Sequence, residues 1–310
     1  MIVARTIAET RAALRSLPRP LGFIPTMGAL HEGHLSLAAA AKLRCASFAG
    51  SIFVNPAQFG QGEDFDAYPR DEARDFSLLE NRGVDLVFAP AAAEMYPDCF
   101  ATSVHVRGPL AESYEGASRP GHFDGMALVV TKLLDIVQPD VLFLGEKDAQ
   151  QLAVVRRFVR DLDLPAEVVG VPTVREPDGL AMSSRNAYLT AEQRAMAPDL
   201  YRALLAGRAA AGAPAATLKD VVVAATTALL LPAAPMGVAE RVAALRGEAP
   251  PAAPRFDLDY LAIVDPDTFQ PESILGPRSL LIAAARLGAM RLIDNITLTP
   301  SAYPATDATA

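Results

Sequence analysis

Between residues 21 and 174 the chain alternates short, nearly unbroken apolar runs with longer stretches in which apolar positions recur every three or four residues. Residues 21–26, 46–54, 84–88, 141–144 and 167–174 form the runs and predict strands; residues 35–43, 71–81, 125–137 and 149–162 carry the helical spacing. Strands apolar on both faces and separated by helices imply a parallel sheet covered on both sides, which is a doubly wound α/β domain. Ligands of such sheets bind beyond the carboxyl ends of the strands, so the segments that follow each strand are where chemistry is expected.

Past the turn signal Pro177-Asp178-Gly179 the pattern changes. Thr190 with Gln193 three residues on reads as a capping box opening a helix that runs to about Gly207. Ala- and Pro-rich sequence fills residues 209–254, with a mobile stretch expected at 247–254, and β-like runs return at 256–264, 279–284 and 290–293. Two domains are expected: residues 1–174, and a smaller α+β domain over 175–310 that ends in a disordered tail after Pro300.

Composition narrows the class. A chain of 310 residues that is 51% hydrophobic can bury a sizeable core and has the length of about two domains. A formal net charge of −8 argues against a nucleic-acid backbone as partner, so any phosphate binding is local. Two irregularly placed cysteines, Cys45 and Cys99, indicate a reducing compartment, and the N-terminus has no basic region followed by a long apolar core. The longest uncharged stretch, residues 221–239, is interrupted by Pro232, Pro235 and Gly237 and reads as a packed alanine-rich helix followed by a loop. A cytoplasmic protein without membrane or nucleic-acid partners is expected.

Only four histidines occur, and two of them form His31-Glu32-Gly33-His34 directly after the first predicted strand and the turn Met27-Gly28-Ala29-Leu30. Unpaired N–H groups at a helix start favour an anion, and imidazoles there add donors for phosphate oxygens. A solvated helix edge or half of a metal site would give the same spacing, but neither His105 nor His122 stands in ligand spacing with the pair. Gly145-Glu146-Lys147-Asp148 follows a second strand, where Lys147 can reach a phosphate and Asp148 can orient a ligand, help hold a metal or cap the next helix. Met182-Ser183-Ser184-Arg185-Asn186 offers hydroxyls, a guanidinium fork and backbone donors suited to a polyphosphate, although serine-rich turns are common. The amides of Asn55, Gln58, Gln150 and Gln151 suit hydroxyl and carboxylate groups, or equally the satisfaction of loop backbone. In Arg119-Pro120-Gly121-His122-Phe123, a site-ordering turn and a locally packed histidine are equally open.

Six segments together are specific: Pro25 to His34, Phe53 to Phe59, Asp64 to Arg70, Arg119 to Phe123, Gly145 to Gln151 and Met182 to Asn186 resemble, in order, the motifs of the pantothenate synthetases (pantoate:beta-alanine ligases) of the HxGH nucleotidyl-transferase superfamily. The resemblance reaches from the N-terminus to about Tyr201 and resumes over 259–295. It implies a Rossmann-like domain with a smaller C-terminal lid, a homodimer, and ATP with Mg2+ as co-substrate. It also implies a two-step reaction in which pantoate is adenylated and beta-alanine then displaces AMP to give pantothenate. Carried over position by position, ATP would be contacted by Met27, Gly28, Ala29, Leu30, His31, Glu32, Gly33, His34, Gly145, Glu146, Lys147, Asp148, Val174, Met182, Ser183, Ser184 and Arg185. Gln58 and Gln151 would hold pantoate, with Gln58 also near beta-alanine. His34 is the family's usual proton donor; His31, His34, Lys147, Ser183, Ser184 and Arg185 would neutralise charge building on the leaving pyrophosphate. The chain departs from the family pattern at Ala149, Met126 and Leu128, which bears on packing and substrate fit. A transferase that stops after joining AMP to a phosphate-bearing acceptor would need a second phosphate site, which the neutral amides do not provide. An ATP-sensing or scaffold protein that retains the fold is the non-enzyme alternative, and an intact His31, His34, Lys147 and Arg185 counts against it.

Overall fold

The computed structural model describes residues 1–60, 62–230 and 256–299. The stretch expected to be mobile at 247–254 and the tail from Pro300 lie outside the described residues. The chain forms two compact units, Met1–Val174 with Met182–Ser184, and Arg175–Ala181 with Arg185–Ala310.

In the first unit six parallel strands lie in the order β1-β4-β3-β2-β5-β6: β1 (Ile2–Ala4), β2 (Leu21–Thr26), β3 (Ser47–Ile52), β4 (Leu86–Phe88), β5 (Val141–Gly145) and β6 (Glu167–Val171). The helices between them are α1 (Ile7–Leu14), α2 (Glu32–Arg44), α3 (Glu72–Arg82), the short α4 (Ala92–Met95), α5 (Pro109–Glu112) and α6 (Glu115–Ser118), then α7 (His122–Val137) and α8 (Ala149–Asp161). The doubly wound sheet expected from the pattern is present, and the two faces explain the apolar runs: Phe23, Ile24, Phe88, Leu142 and Phe143 are all fully buried. Sequence reading omitted β1 and α1. Strand β1 exposes two of its three residues and so shows no apolar run, but α1 carries a visible start signal, the capping box of Thr6 and Glu9.

The order of the strands positions the site. From β2 the chain moves one way across the sheet to β3 and β4, then returns to the other side of β2 with β5. The switch point therefore lies at β2 and β5. There the two strands pair only at Gly22 with Val141 and Phe23 with Leu142, whereas β2 and β3 stay paired as far as Thr26 with Ile52. Beyond Phe23 the β2–β5 seam ends, and Pro25, which has no N–H to offer a neighbour, occupies that stretch.

The second unit has a three-stranded antiparallel sheet, β7 (Phe256–Val264), β8 (Leu280–Leu287) and β9 (Met290–Thr297), with α9 (Ala191–Met196), α10 (Asp199–Ala211) and α11 (Leu218–Leu230). Leu200, Leu204, Val221 and Ala225 from the helices and Leu281, Ala283 and Ala285 from the central strand share one core. The capping box of Thr190 and Gln193 forms as expected, but the single helix expected from it does not. Pro198 ends that helix, since it has no N–H to continue the ladder, and starts α10 instead.

Candidate active site

After β2 the backbone must turn sharply to enter α2. Gly28 (φ +80°) and Ala29 (φ +50°) take left-handed conformations, which Gly adopts freely and Ala only under constraint. The constraint comes from α3. Asp75, 1% exposed, accepts hydrogen bonds from the N–H groups of Ala29 (2.8 Å) and Leu30 (2.9 Å), while Arg74 donates to the Leu30 carbonyl (2.9 Å). A Cβ at residue 28 would lie 2.9 Å from Asp75 Oδ2, so glycine also lets the carboxylate approach. Burial pushes the Asp75 carboxyl up, against the two amide hydrogen bonds that favour its charged form. Asp75 is a site residue that sequence reading missed; its signal is an acid four residues before Leu79, on the inward face of the helix.

The His31-His34 pair forms the N-terminus of α2. His31 is the N-cap residue, its Nδ1 accepting from Gly33 N–H at 3.1 Å, and His34 Nδ1 reaches back to accept from His31 N–H at 3.4 Å. The rings are tilted at 45° with centroids 4.2 Å apart. Because each Nδ1 is an acceptor, this network assigns each proton to Nε2, and neither Nε2 has a protein partner among the described residues. Burial, together with Lys147 and Arg74, pushes His31 down to about 4. Burial and the His31 ring beside it push His34 down to about 3. At neutral pH the pair is thus two uncharged imidazoles presenting Nε2–H donors at a helix N-terminus, the arrangement that receives an anion.

Lys147 and Asp148 lie in the turn after β5, across the switch point, close enough for both to act on the charge of His31 and His34. Lys147 Nζ is 3.6 Å from Asp148 Oδ2. Asp148 occupies the N-cap position of α8 but makes no side-chain cap hydrogen bond, which removes the capping explanation for it. Gly145 closes β5, and Glu146 begins the turn. Val174 accepts from the Met182 N–H at 3.0 Å, and Met182 Cβ lies 3.7 Å from where a Cβ on Gly33 would sit, so this segment joins the imidazole end of α2. Ser183 and Ser184 belong to the same unit; Arg185, the next residue, belongs to the second.

The amide side is built on a 3-10 turn, residues 56–58, after β3. Gln58 is buried, and its Nε2 donates to Met27 Sδ at 3.1 Å, which ties it to the turn leading to the histidines. Asn55 is fully committed to the protein: its Nδ2 donates to Gln58 Oε1 (3.0 Å) and the Gly125 carbonyl (3.1 Å), and its Oδ1 accepts from Ala57 N–H (3.3 Å) and Tyr96 hydroxyl (2.7 Å). Gln150 is equally engaged, accepting from Glu115 N–H and donating to the Leu110 and Ser113 carbonyls. Of the four amides, Asn55 and Gln150 therefore build the walls. Gln151, on the first turn of α8, makes no side-chain hydrogen bond among the described residues. His122 is also engaged within the protein, with Nδ1 2.9 Å from the Gln58 carbonyl.

Known proteins resemble this chain over nearly its whole length. The sequence model of the family described as pantoate-beta-alanine ligase matches residues 2–297. A pantothenate synthetase of Thermus thermophilus is 52% identical over 303 residues, covering 97% of this chain and all of that protein. The corresponding protein of Rhizorhabdus wittichii is 48% identical over 305 residues, again covering 97% of this chain and all of its own. A crystal structure of the Thermus thermophilus protein aligns with a TM-score of 0.86 at 50% identity, over 97% of this chain and 100% of that one. Pantoate-beta-alanine ligase from Francisella tularensis, solved in complex with beta-gamma ATP and beta-alanine, aligns with a TM-score of 0.73 at 32% identity, covering 96% and 97% of the two chains. With a match over nearly its whole length and half its residues shared with such relatives, the chain belongs to the pantoate-beta-alanine ligase family.

Proposed function

We propose that this protein condenses pantoate with beta-alanine in an ATP-dependent reaction that passes through pantoyl adenylate. The observation that carries the reading is the placement of two neutral Nε2–H imidazoles and a buried, uncharged amide on either side of one short turn. His31 and His34 end it, and Gln58 is bonded to Met27 at its start. The imidazole side suits the phosphates, and the amide side suits the hydroxyl and carboxylate groups of pantoate.

In the first step a pantoate carboxylate oxygen attacks the α-phosphorus, and the bond to the bridging oxygen breaks with its electron pair leaving on pyrophosphate. His31 and His34 donate to phosphate oxygens, Lys147 adds positive charge, and the hydroxyls of Ser183 and Ser184 with the Arg185 guanidinium complete the neutralisation. Being uncharged, His34 serves as a hydrogen-bond donor and not as an acid with a proton to spare. In the second step the amine of beta-alanine attacks the acyl carbon and AMP leaves with the electron pair, the nitrogen losing its proton. Gln58 and Gln151 hold pantoate through both steps.

Among the described residues no group of three or more His, Cys, Asp or Glu side chains could cage a metal. Asp148, beside Lys147, is the carboxylate that would meet a magnesium ion carried by the ATP phosphates, and such an ion would offset phosphate charge. Among the described residues no helix is long and apolar enough to cross a membrane. The cytoplasmic homodimer expected from the sequence remains part of this proposal.

ATP-pyrophosphate exchange tests the reading. Exchange is expected only when pantoate is present, and later addition of beta-alanine should release AMP. Exchange that proceeds equally without pantoate overturns the substrate assignment.

A further inference from the structure

The contact between His122 and Gln58 is one link in a chain of hydrogen bonds that ends at an ion pair in the loop after the 3-10 turn. The His122 Nδ1–H donates to the Gln58 carbonyl at 2.9 Å, and Arg119 Nη1 donates to His122 Nε2 at 3.1 Å. The carbonyl can only accept and the guanidinium can only donate, so the imidazole is fixed as the neutral Nδ1–H tautomer. Arg119 in turn forms a two-pronged pair with Glu63, Nε to Oε1 and Nη2 to Oε2, both at 2.7 Å, with side-chain exposures of only 18% and 24%. Glu63 also holds its own loop, since its N–H donates to the Gly60 carbonyl at 3.1 Å. Beyond it the loop is fastened internally, Phe59 meeting the rings of Phe65 and Tyr68 edge-on and Arg70 donating to the carbonyls of Phe65, Asp66 and Tyr68.

We propose that Glu63, Arg119 and His122 are positioning residues that set the placement of Gln58 for pantoate. The inference rests on the reading of Gln58 as a pantoate ligand. The side-chain amide of Gln58 is oriented by Asn55 and Met27, but the backbone that carries it has weaker support: its N–H reaches the Asn55 carbonyl at 3.4 Å. His122 supplies the short bond at that residue. Arg119 selects the tautomer that can make it, and Glu63 holds Arg119 with both oxygens. A merely structural ion pair would have no need of an imidazole whose two nitrogens face a guanidinium on one side and the backbone of a ligand residue on the other.

Steady-state kinetics on full-length Glu63→Gln, Arg119→Met, His122→Ala and His122→Asn tests this, with KM for ATP and for pantoate measured separately and thermal midpoints alongside. Loss of a buried hydrogen bond that places the amide should raise KM for pantoate about five- to tenfold in the first three variants and leave KM for ATP within about twofold. His122→Asn keeps a donor near the Nδ1 position and should recover most of the parent value. The double variant Glu63→Gln/Arg119→Met should be no worse than Arg119→Met, because both act through one path. Equal rises in both KM values, or no rescue by His122→Asn, would mean general disruption and overturn the proposal. Gln58→Ala distinguishes the two readings. A raised pantoate KM in Gln58→Ala with parent values in Glu63→Gln, Arg119→Met and His122→Ala overturns the positioning chain alone; a parent value in Gln58→Ala overturns the pantoate assignment of the amide and the route through it.

Discussion

Three of the four histidines are held uncharged by the fold: His31 and His122 to about pH 4, and His34 to about pH 3, each chiefly because burial penalises the imidazolium. An unfolded imidazole titrates near 6.5, so below that pH the unfolded chain binds protons that the native protein refuses. The stability due to these groups is fully present above pH 6.5 and falls as the pH drops through about 4, His34 continuing to about 3. Urea unfolding between pH 7 and pH 4 should show a flatter loss of stability for His34→Gln than for the parent, since one such group is gone and its Nε2–H donor is replaced by an amide. A slope equal to the parent's would show that His34 is not held neutral. The same residues show what a sequence can disclose about a site. The histidine spacing was legible because imidazoles are rare in this chain and fall at a strand-to-helix turn. Asp75 was not, because an acid on an amphipathic helix ordinarily reads as solvated, and nothing local reveals that two amides 45 and 46 residues upstream need its oxygens. Asn55 and Gln150 carry the same donors and acceptors as a ligand-binding amide, so their commitment to the protein is a fact of tertiary structure.

Among the elements, the approach of α7 to the 3-10 turn at residues 56–58 governs the amide side of the site. A Cβ at Gly125 would lie 1.9 Å from the Ala57 carbonyl oxygen and 2.6 Å from Gln58 N, far inside van der Waals contact with backbone on both sides. Gly125→Ala should therefore cost about 1–3 kcal/mol of stability, as overpacking does, and displace Gln58. Thermal unfolding together with pantoate KM checks this, and a variant with parent values for both would contradict the close approach. Gly125 opens the helix expected over 125–137 and stands fourth in the observed one, and glycine inside a helix is a signal of such contact, though not of what is contacted. The strands and helices that were legible share a property: each lies in an apolar run or carries an apolar period that buries a continuous face, as the three fully buried residues of β4 do within the run 84–88. Strand β1 is no shorter than β4 but exposes two of its three residues, and the expected helix from Thr190 overran because the capping box marks a beginning while Pro198 supplies an end that the apolar pattern ignores.

On the scale of the molecule, the second unit is fastened where the chain enters it. Arg175, the residue after Val174, forms a two-pronged pair with Asp294 on β9 (2.7 and 2.9 Å) and lies 3.5 Å over the Tyr201 ring on α10. Asp294 is only 3% exposed, so Asp294→Ala would leave a guanidinium desolvated beside a ring with no counter-charge. The expected loss is about 3–5 kcal/mol, measurable by guanidinium unfolding of the full chain. A loss below about 1 kcal/mol would place the pair with solvent-screened ones.

The path of the backbone through residues 174–185 has a further consequence. The chain passes into the second unit at Arg175, returns to the first for Met182–Ser184, and departs again at Arg185. No single cut can separate the two units. A gene fragment stopping at codon 174 would encode all six parallel strands yet omit Met182–Ser184, which the first unit claims, and its complement would carry those three as a stretch foreign to it. Modular exchange at this boundary, whether by recombination or by a protein engineer, must carry all eleven residues from Arg175 to Arg185 as one inheritance.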